Sequence, residues 1–540
     1  MTFNWQNPYP TTRAPLFARN VVATSHPIAA QAGNFALLAG GNAVDAAIAA
    51  AATLTVVEPC SNGLGSDAFA LVWDGNRLHG LNASGPAPDS WDLARFHRLY
   101  GTDGHGLAQR PERGWDSVTV PGAVAGWAAL HQRFGRLPFD QLMQTAIDVA
   151  ERGVTIAPII AGKWQAAVGI LAGQPGFADA FMPGGRAPRI GEKFLFRDAA
   201  RTLRLLAREG GRAFYEGEIA EKIVAWSQAS GGSLTRADLA SYQPEWVDPI
   251  TQHYRGYQVH EMPPNGQGIA ALIALGIVEH FDLAALPLDS ADAQHLQIEA
   301  MKLAFADIYR YVADPTSMDV TPTQMLDPAY LLSRARLIDR RRAADPQPGM
   351  PASGGTVYLT TADEQGMMVS FIQSNYMGFG SGVVVPGYGI SLQNRGAGFS
   401  SDPRSVNVVA PGKRPFQTII PAFLTKEGQP QMSFGVMGGD MQPQGHLQTL
   451  VRMLDYQQQP QAACDAPRWK VNRDFTLDLE ATMPPQVVER LRAMGHRLKS
   501  VNDPYMDFGS GQFIWRLSPD SDHGYVAASD SRRDGQAVGF

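Results

Sequence analysis

The sequence predicts a mixed α+β fold in which one sheet packs on another and helices cover the outer faces. Three observations point there. Strand-like patterns crowd both ends of the 540-residue chain, the middle from Gly122 to Arg340 reads as mostly helical, and only one stretch, 345–355, has the composition of a linker. Length alone would suggest several domains. With a single break of the linker type, the chain reads instead as one large globular unit divided into two interlocked pieces, 1–355 and 356–540.

Taken in order, Val21 to Ser25 is a short strand and Ile28 to Leu38 a helix that Gly40-Gly41 ends. Asn42 to Thr55 is a second helix, whose alanines permit close packing on a sheet. The run Ala43 to Val57 is the most apolar in the chain but carries Asp45, so it reads as a buried helix and not as a membrane span. A turn at Asn62 to Gly65 leads to the strand Ala68 to Trp73, and a hairpin at Asp74-Gly75 leads to Leu78 to Asn82. In the helical middle, Leu137-Pro138 and Leu234 to Leu239 are helix entries, with Thr235 capped by Asp238. Tyr254 to Glu261 is a strand, Pro263 to Gly268 a turn, Ile269 to His280 a helix, and Ala291 to Ala313 a long amphipathic helix. Beyond the linker, Thr356 to Thr361, a turn at Asp363 to Gly366, and Met367 to Ser374 form a hairpin. Strands follow at Gln417 to Leu424, Met432 to Val436, Phe475 to Leu479 and Gly511 to Arg516, with helices at Leu447 to Tyr456 and Pro485 to Met494.

The net charge of −6 is mild, and Arg340-Arg341-Arg342 is too short a basic run to suggest a nucleic-acid partner. The N-terminal MTFNWQNPYPTTRAP has neither the basic nor the apolar region of a secretory signal. The two cysteines, Cys60 and Cys464, do not make a disulfide framework and read as buried free thiols. A cytoplasmic protein without a membrane partner is the expectation. No His/Cys/Asp cluster has metal-ligand spacing and no phosphate loop is present, so no metal or cofactor is expected.

The stretch that carries chemistry is Gly354-Gly355-Thr356. A threonine hydroxyl is protonated at neutral pH and needs a base to act as nucleophile; a free α-amine on the same residue can be that base. Such an amine titrates at roughly pKa 8. Cleavage of the 355–356 bond would create it, and the glycines permit the close approach of hydroxyl to carbonyl that cleavage needs. The Pro-, Gly- and Ser-rich segment Asp345 to Gly355 before it, and the hairpin after it, place the threonine at the first position of a strand behind a cuttable linker.

Here the chain resembles the γ-glutamyltranspeptidase family of N-terminal nucleophile hydrolases. The resemblance is carried, in order, by GGNAVDAAIAAAATLTVVEP (40–59), VTVPGAVAGW (118–127), PPNGQGIAALIALGIVEHFDL (263–283), EAMKLAFADIYRYVADP (299–315), GTVYLTTADEQGMMV (355–369), FGSG (379–382) and MGGD (437–440). It implies a four-layer αββα sandwich with additional helices, self-cleavage at Gly355–Thr356, and association of the two resulting chains. A further homo-oligomer of that pair is left open.

The resemblance also implies site residues. Thr356 is the nucleophile, Ser374 the hydroxyl that steadies it, and Gly438-Gly439 the oxyanion donors, each such donor typically worth about 3 kcal/mol in the transition state. The chain departs from the transpeptidases at substrate selection. Where they have an arginine for the glutamyl α-carboxylate, this chain has Asn82, within NASGP (82–86). Where they have an aspartate for the α-amine, it has Gly398, and their paired serines become Gln417-Thr418. A carboxylate buried without a cation is costly, so replacement anchors are expected. Arg395, beside Asn394 in LQNRGAGF (392–399), is the first candidate and Arg113 the second, because a guanidinium takes a carboxylate in a bidentate fork. Tyr376, where the transpeptidases carry asparagine, would shrink or cover the pocket. These departures resemble the branch of oxamate amidohydrolases and cephalosporin or glutaryl acylases. The expectation is an amidohydrolase acting on a small carboxylate-bearing amide, oxamate first. The rivals are a γ-glutamyl hydrolase or transferase with different anchors, and an uncleaved, non-catalytic binding protein.

Overall fold

The computed structural model describes residues 12–346, 355–502, 508–519 and 523–540. Of the expected linker, 347–354 lie outside the described residues.

Two seven-stranded sheets form the centre. The first runs, in spatial order, Gln536–Gly539, Val21–Thr24, Gly355–Ala362, Met368–Tyr376, Asp67–Trp73, Leu78–Ala83 and Glu245–Val247. The second runs Leu16–Ala18, Tyr525–Ser529, Ser510–Arg516, Gln429–Met437, Ala422–Lys426, Tyr257–Glu261 and Ile250–Tyr254. Neighbours in both are antiparallel. Apolar side chains from both inner faces, among them Phe69, Tyr358 and Ile372 against Phe423, Met437 and Ile514, make one buried layer. Gly435 lets the sheets meet: a Cβ there would lie 2.4 Å from the Tyr358 ring. Helices close the outer faces. Pro27–Leu38 and Ala43–Val57 pack on the first sheet and Gly268–Val278 and Met441–Leu450 on the second, with Ala291–Tyr311 packed against Gly268–Val278. The architecture is the four-layer αββα sandwich.

The Ala-rich helix shows how sequence sets position. Every residue of Ala43–Val57 is buried, and methyl side chains allow that closeness. Its N-terminus carries a full capping box: Asn42 Oδ1 accepts from Asp45 N–H and Asp45 Oδ2 from Asn42 N–H, both at 3.0 Å. Asp363 Oδ2 also accepts from Ala43 N–H at 2.9 Å, and Thr361 Oγ1 donates to the Ala43 carbonyl at 2.6 Å. The strand that begins at Gly355 is thereby fixed to a helix end whose first N–H groups have no intrahelical acceptor and favour a carboxylate.

Three expected elements differ. Tyr254 to Glu261 is not one strand but the hairpin Ile250–Tyr254 and Tyr257–Glu261, turning through Arg255 and Gly256 at φ 50° and 81°. The strand expected over Gln417 to Leu424 is confined to Ala422–Lys426, because the backbone of Gln417 pairs with Gly266 instead. The helix expected from Leu447 starts at Met441 and widens into a π-helical turn over Val451–Asp455. Both cysteines are buried and unbonded. Among the described residues no helix is long and apolar enough to cross a membrane.

Candidate active site

The site is assembled where the strand beginning at Gly355 meets its neighbours. Gly355 pairs with Tyr376 and Val357 with Gln373, so Ser374 and Asn375 together face the single residue Thr356. This bulge is a device that re-aims a strand at its end. One strand further, Ser374 pairs with Asp67. Thr356, Ser374 and Asp67 therefore form a row across three strands. The Ser374 hydroxyl accepts from Tyr376 N–H at 2.8 Å, which closes a tight turn in which Tyr376 takes a φ of 79°. A bulky residue in the left-handed region is strained, and such strain gathers at functional sites.

Gly438 and Gly439 follow the strand Gln429–Met437, with φ of 129° and 61°. A side chain on Gly438 would also run into Gly509. Their carbonyls accept from Met441 and Gln442 N–H at the start of the next helix, both at 3.1 Å. Neither of their own N–H groups donates to an acceptor among the described residues. Gln267 fixes this turn against a second segment, its Nε2 donating to the carbonyls of Gly439 at 2.9 Å and Thr418 at 2.6 Å.

Arg395 is fully buried. Its guanidinium stacks over Tyr376, 4.7 Å from the ring centroid, and Nη1 donates to Thr418 Oγ1 at 2.9 Å. Nε and Nη2, which make the side-on fork, have no hydrogen-bond partner among the described residues. Burial lowers the Arg395 pKa to about 10, opposed by the charge of Asp67, so the group is cationic at neutral pH. A buried guanidinium edge with two unmet donors matches a carboxylate in shape and charge.

Asp67, which the sequence reading passed over, is the other buried charge. Gln417 Nε2 donates to Oδ2 at 2.7 Å, and the N–H groups of Gly85 and Gly122 donate to Oδ1 at 3.3 and 3.2 Å. Burial pushes its pKa up to about 7, against the pull of Arg395 and these hydrogen bonds. Gln417 Oε1 and Gln267 Oε1 are further buried atoms with no partner among the described residues. Gln267 lies in a motif already singled out, PPNGQG. Asp67 carried no such signal, being the first residue of an otherwise apolar strand.

The remaining expected residues have other partners. Arg113 Nη1 donates to the carbonyl of Gly378 at 2.8 Å and to that of Gly380, which fastens a loop. Asn394 bridges Met377 N–H and the Glu112 carbonyl at 3.1 and 2.8 Å. Asn82 donates to Asn265 Oδ1 at 3.0 Å and accepts from Ser84 Oγ at 2.7 Å. Tyr376 is buried with its ring against the Arg395 guanidinium.

A cavity of about 1130 Å³ lies alongside, lined by Tyr309, Arg310, Arg334, Ser400 and Arg404. Tyr309 links it to the site: Arg473, paired with Asp440 at 2.7 Å, sits 5.7 Å from the Tyr309 ring, and the Tyr309 hydroxyl is buried without a partner among the described residues.

His295, Glu299 and His496 bring potential metal-binding atoms within 4.8 Å of one another. The Lys302 ammonium already lies 2.9 Å from Glu299, and His295 bonds His496 and the Asp339 carbonyl at 2.8 Å. A cation is thus built in, and the cluster acts as an ion-pair and hydrogen-bond network.

The γ-glutamyltranspeptidase family profile matches residues 29–540. The chain is 35% identical to a glutathione hydrolase-like YwrD proenzyme of Bacillus subtilis, over 97% of this chain and 98% of that one. It is 36% identical to the oxamate amidohydrolase proenzyme of Klebsiella pneumoniae, over 95% and 97%. The crystal structure of a cephalosporin acylase from Bacillus halodurans superposes with a TM-score of 0.94 at 48% identity, covering 100% of this chain and 99% of that one.

Proposed function

Because the chain belongs to the γ-glutamyltranspeptidase family and is an amide-bond hydrolase of the N-terminal nucleophile type, we propose that its substrate is a small amide bearing a carboxylate, with oxamate the leading candidate. The observation that carries this reading is the buried Arg395 fork, whose Nε and Nη2 have no partner among the described residues. No charged anchor of the γ-glutamyl kind stands at Asn82 or Gly398, so a substrate acid needs another cation, and Arg395 is the buried one beside the bulge.

The same reading assigns roles. Cleavage before Thr356 frees its α-amine. The amine takes the proton of the threonine hydroxyl as that oxygen attacks the amide carbonyl, and the developing oxyanion lies between the N–H groups of Gly438 and Gly439. Collapse breaks the C–N bond, and the amine returns the proton to the leaving nitrogen. Water then attacks the threonyl ester by the reverse use of the same groups and releases the acid. Ser374, next to Thr356 in the strand row, steadies the nucleophile. For oxamate the products are oxalate and ammonia.

A second reading has its own support. The cavity of about 1130 Å³ beside Tyr309 exceeds what oxamate needs, and the likeness to a cephalosporin acylase is high. A larger leaving group would extend into that cavity while Arg395 held the acid. A panel of oxamate, glutaryl amides and γ-glutamyl anilide, read by ammonia or amine release, separates the alternatives. Oxamate is expected to give the highest kcat/KM; a dominant γ-glutamyl or glutaryl activity would overturn the assignment.

A further inference from the structure

We propose that Asp67 is a specificity-determining residue: capture of a substrate carboxylate by Arg395 requires Asp67 to take up one proton from solvent. The inference rests on the reading of Arg395 as the carboxylate anchor.

The geometry is that of two opposite charges buried together and kept apart. Asp67 and Arg395 are both fully buried, and each feels the other's charge. Yet they make no ion pair. Gln417, Gly85 and Gly122 hold the Asp67 oxygens, Thr418 holds Arg395 Nη1, and the Arg395 fork stays open. With Asp67 ionised the Asp67–Arg395 pair is electrically balanced, so a carboxylate arriving at Arg395 makes two anions for that one cation in a buried site. That is unfavourable at short range in a low-dielectric interior. Protonation of Asp67 removes the conflict. The balance is explicit: one carboxylate and one H⁺ enter, and the bound state holds neutral Asp67, cationic Arg395 and the substrate anion.

The surroundings make this proton available near neutrality. Burial puts the Asp67 pKa at about 7. Among the described side chains the charged or titratable groups that face it are Arg395 and the phenols of Tyr215 and Tyr242, and in the processed enzyme the Thr356 α-amine stands two strands away in the same row. Burial pushes both phenols up, so they stay neutral. Ser374, Gln417 and the Gly85 and Gly122 amides do not titrate. A neutral ligand would bind without the proton, so the device favours acids at low pH and discriminates less above it.

The test uses the processed enzyme and DL-lactate, a monoanion of the size of oxamate, as a competitive inhibitor between pH 6 and 9. The inhibition constant of lactate is expected to be flat below about pH 7 and to rise about tenfold per unit above it, while that of neutral lactamide stays flat. In Asp67→Asn the lactate profile should lose its slope, leaving lactate about 30-fold tighter than on wild type at pH 8.5. If that variant fails to fold, Gln417→Met serves: it removes a hydrogen bond that favours the ionised carboxyl, so the break should move to higher pH. A flat wild-type profile overturns the inference. So does an unchanged slope in Asp67→Asn or an unmoved break in Gln417→Met, which would assign the titration to the Thr356 amine. If lactate does not inhibit at any pH, or inhibits equally in Arg395→Met, the carboxylate reading of Arg395 fails instead.

Discussion

Arg395 and Asp67 are held by consecutive residues and not by each other: Thr418 Oγ1 accepts from Arg395 Nη1 at 2.9 Å, and Gln417 Nε2 donates to Asp67 Oδ2 at 2.7 Å. On the sequence resemblance, these two residues are expected where the transpeptidases carry paired serines. Gln417-Thr418 thus holds a cation and an anion separately, and Nε and Nη2 of the guanidinium stay without a partner among the described residues.

Removing the guanidinium should cost binding and leave self-cleavage intact, because the precursor cuts itself without substrate. Arg395→Ala is expected to process normally and to lose roughly 30- to 150-fold in kcat/KM toward the acid amide, the equivalent of about 2–3 kcal/mol for a bidentate charged pair. Lysine keeps charge but not the planar fork, so Arg395→Lys should recover little. A variant that fails to cleave would show instead that Arg395 holds the 395–398 turn.

The cut should fall between Gly355 and Thr356. Terminal sequencing of the smaller chain is expected to begin Thr-Val-Tyr-Leu, and Thr356→Ala should run as one uncut, inactive chain on a denaturing gel. Any other start would displace Thr356 as nucleophile.

Water should be the acceptor. Adding glycylglycine is expected to leave the rate unchanged if, as the sequence resemblance implies, Asn82 and Gly398 replace the anchors with which transpeptidases hold their donor. A several-fold acceleration would count against a hydrolase.

Acid should weaken the fold partly through Asp530. Its Oδ2 accepts from Arg468 Nη2 and Gly511 N–H, both at 2.8 Å, and its Oδ1 from Arg532 Nη1 at 3.1 Å. Burial alone would raise its pKa, but Arg532 and Arg468 bring it down to about 2. A carboxyl depressed in the folded state stabilises fully above its unfolded value near 4 and loses that contribution as pH falls from about 4 to about 2, about 2–3 kcal/mol in all. Asp530→Ala leaves two buried cations short of their partner and should cost about 3–5 kcal/mol at neutral pH. Urea midpoints measured against pH should fall more steeply below pH 4 for wild type than for the variant.

What could be read from the chain was what local pattern dictates. The hairpin after Gly355, the Ala-rich helix from Asn42 and the capped turn at Thr235 follow from pattern and cap chemistry within a few residues. The elements that shifted were set by distant partners. Gln417 was drawn out of a strand by Gly266, and Tyr254–Tyr257 turned through a left-handed Arg255 that the surrounding β-branched and aromatic residues disguised. Pro443 in the first turn of the helix from Met441 hid its true start, although a first-turn proline loses no helical hydrogen bond. In the site, motif residues such as Gly438-Gly439 were visible, whereas Asp67 was not. Its importance comes from burial beside Arg395, hundreds of positions away, and nothing in the flanking LGSDAFA predicts that meeting.

The strand order of the first sheet has a consequence for assembly. Val21–Thr24 lies between Gly355–Ala362 and Gln536–Gly539, and Asp67–Trp73 is zipped to Met368–Tyr376. A cut before residue 356 would therefore turn a folding problem of one molecule into one of two without moving a strand. The uncut chain should refold at a rate independent of dilution. Once cut and unfolded, its halves must find each other, so recovery becomes second order and the unfolding midpoint rises with protein concentration. The cut would thus act as a ratchet on the chain's history, since the interleaved ladders can form easily only while the two parts are still tethered.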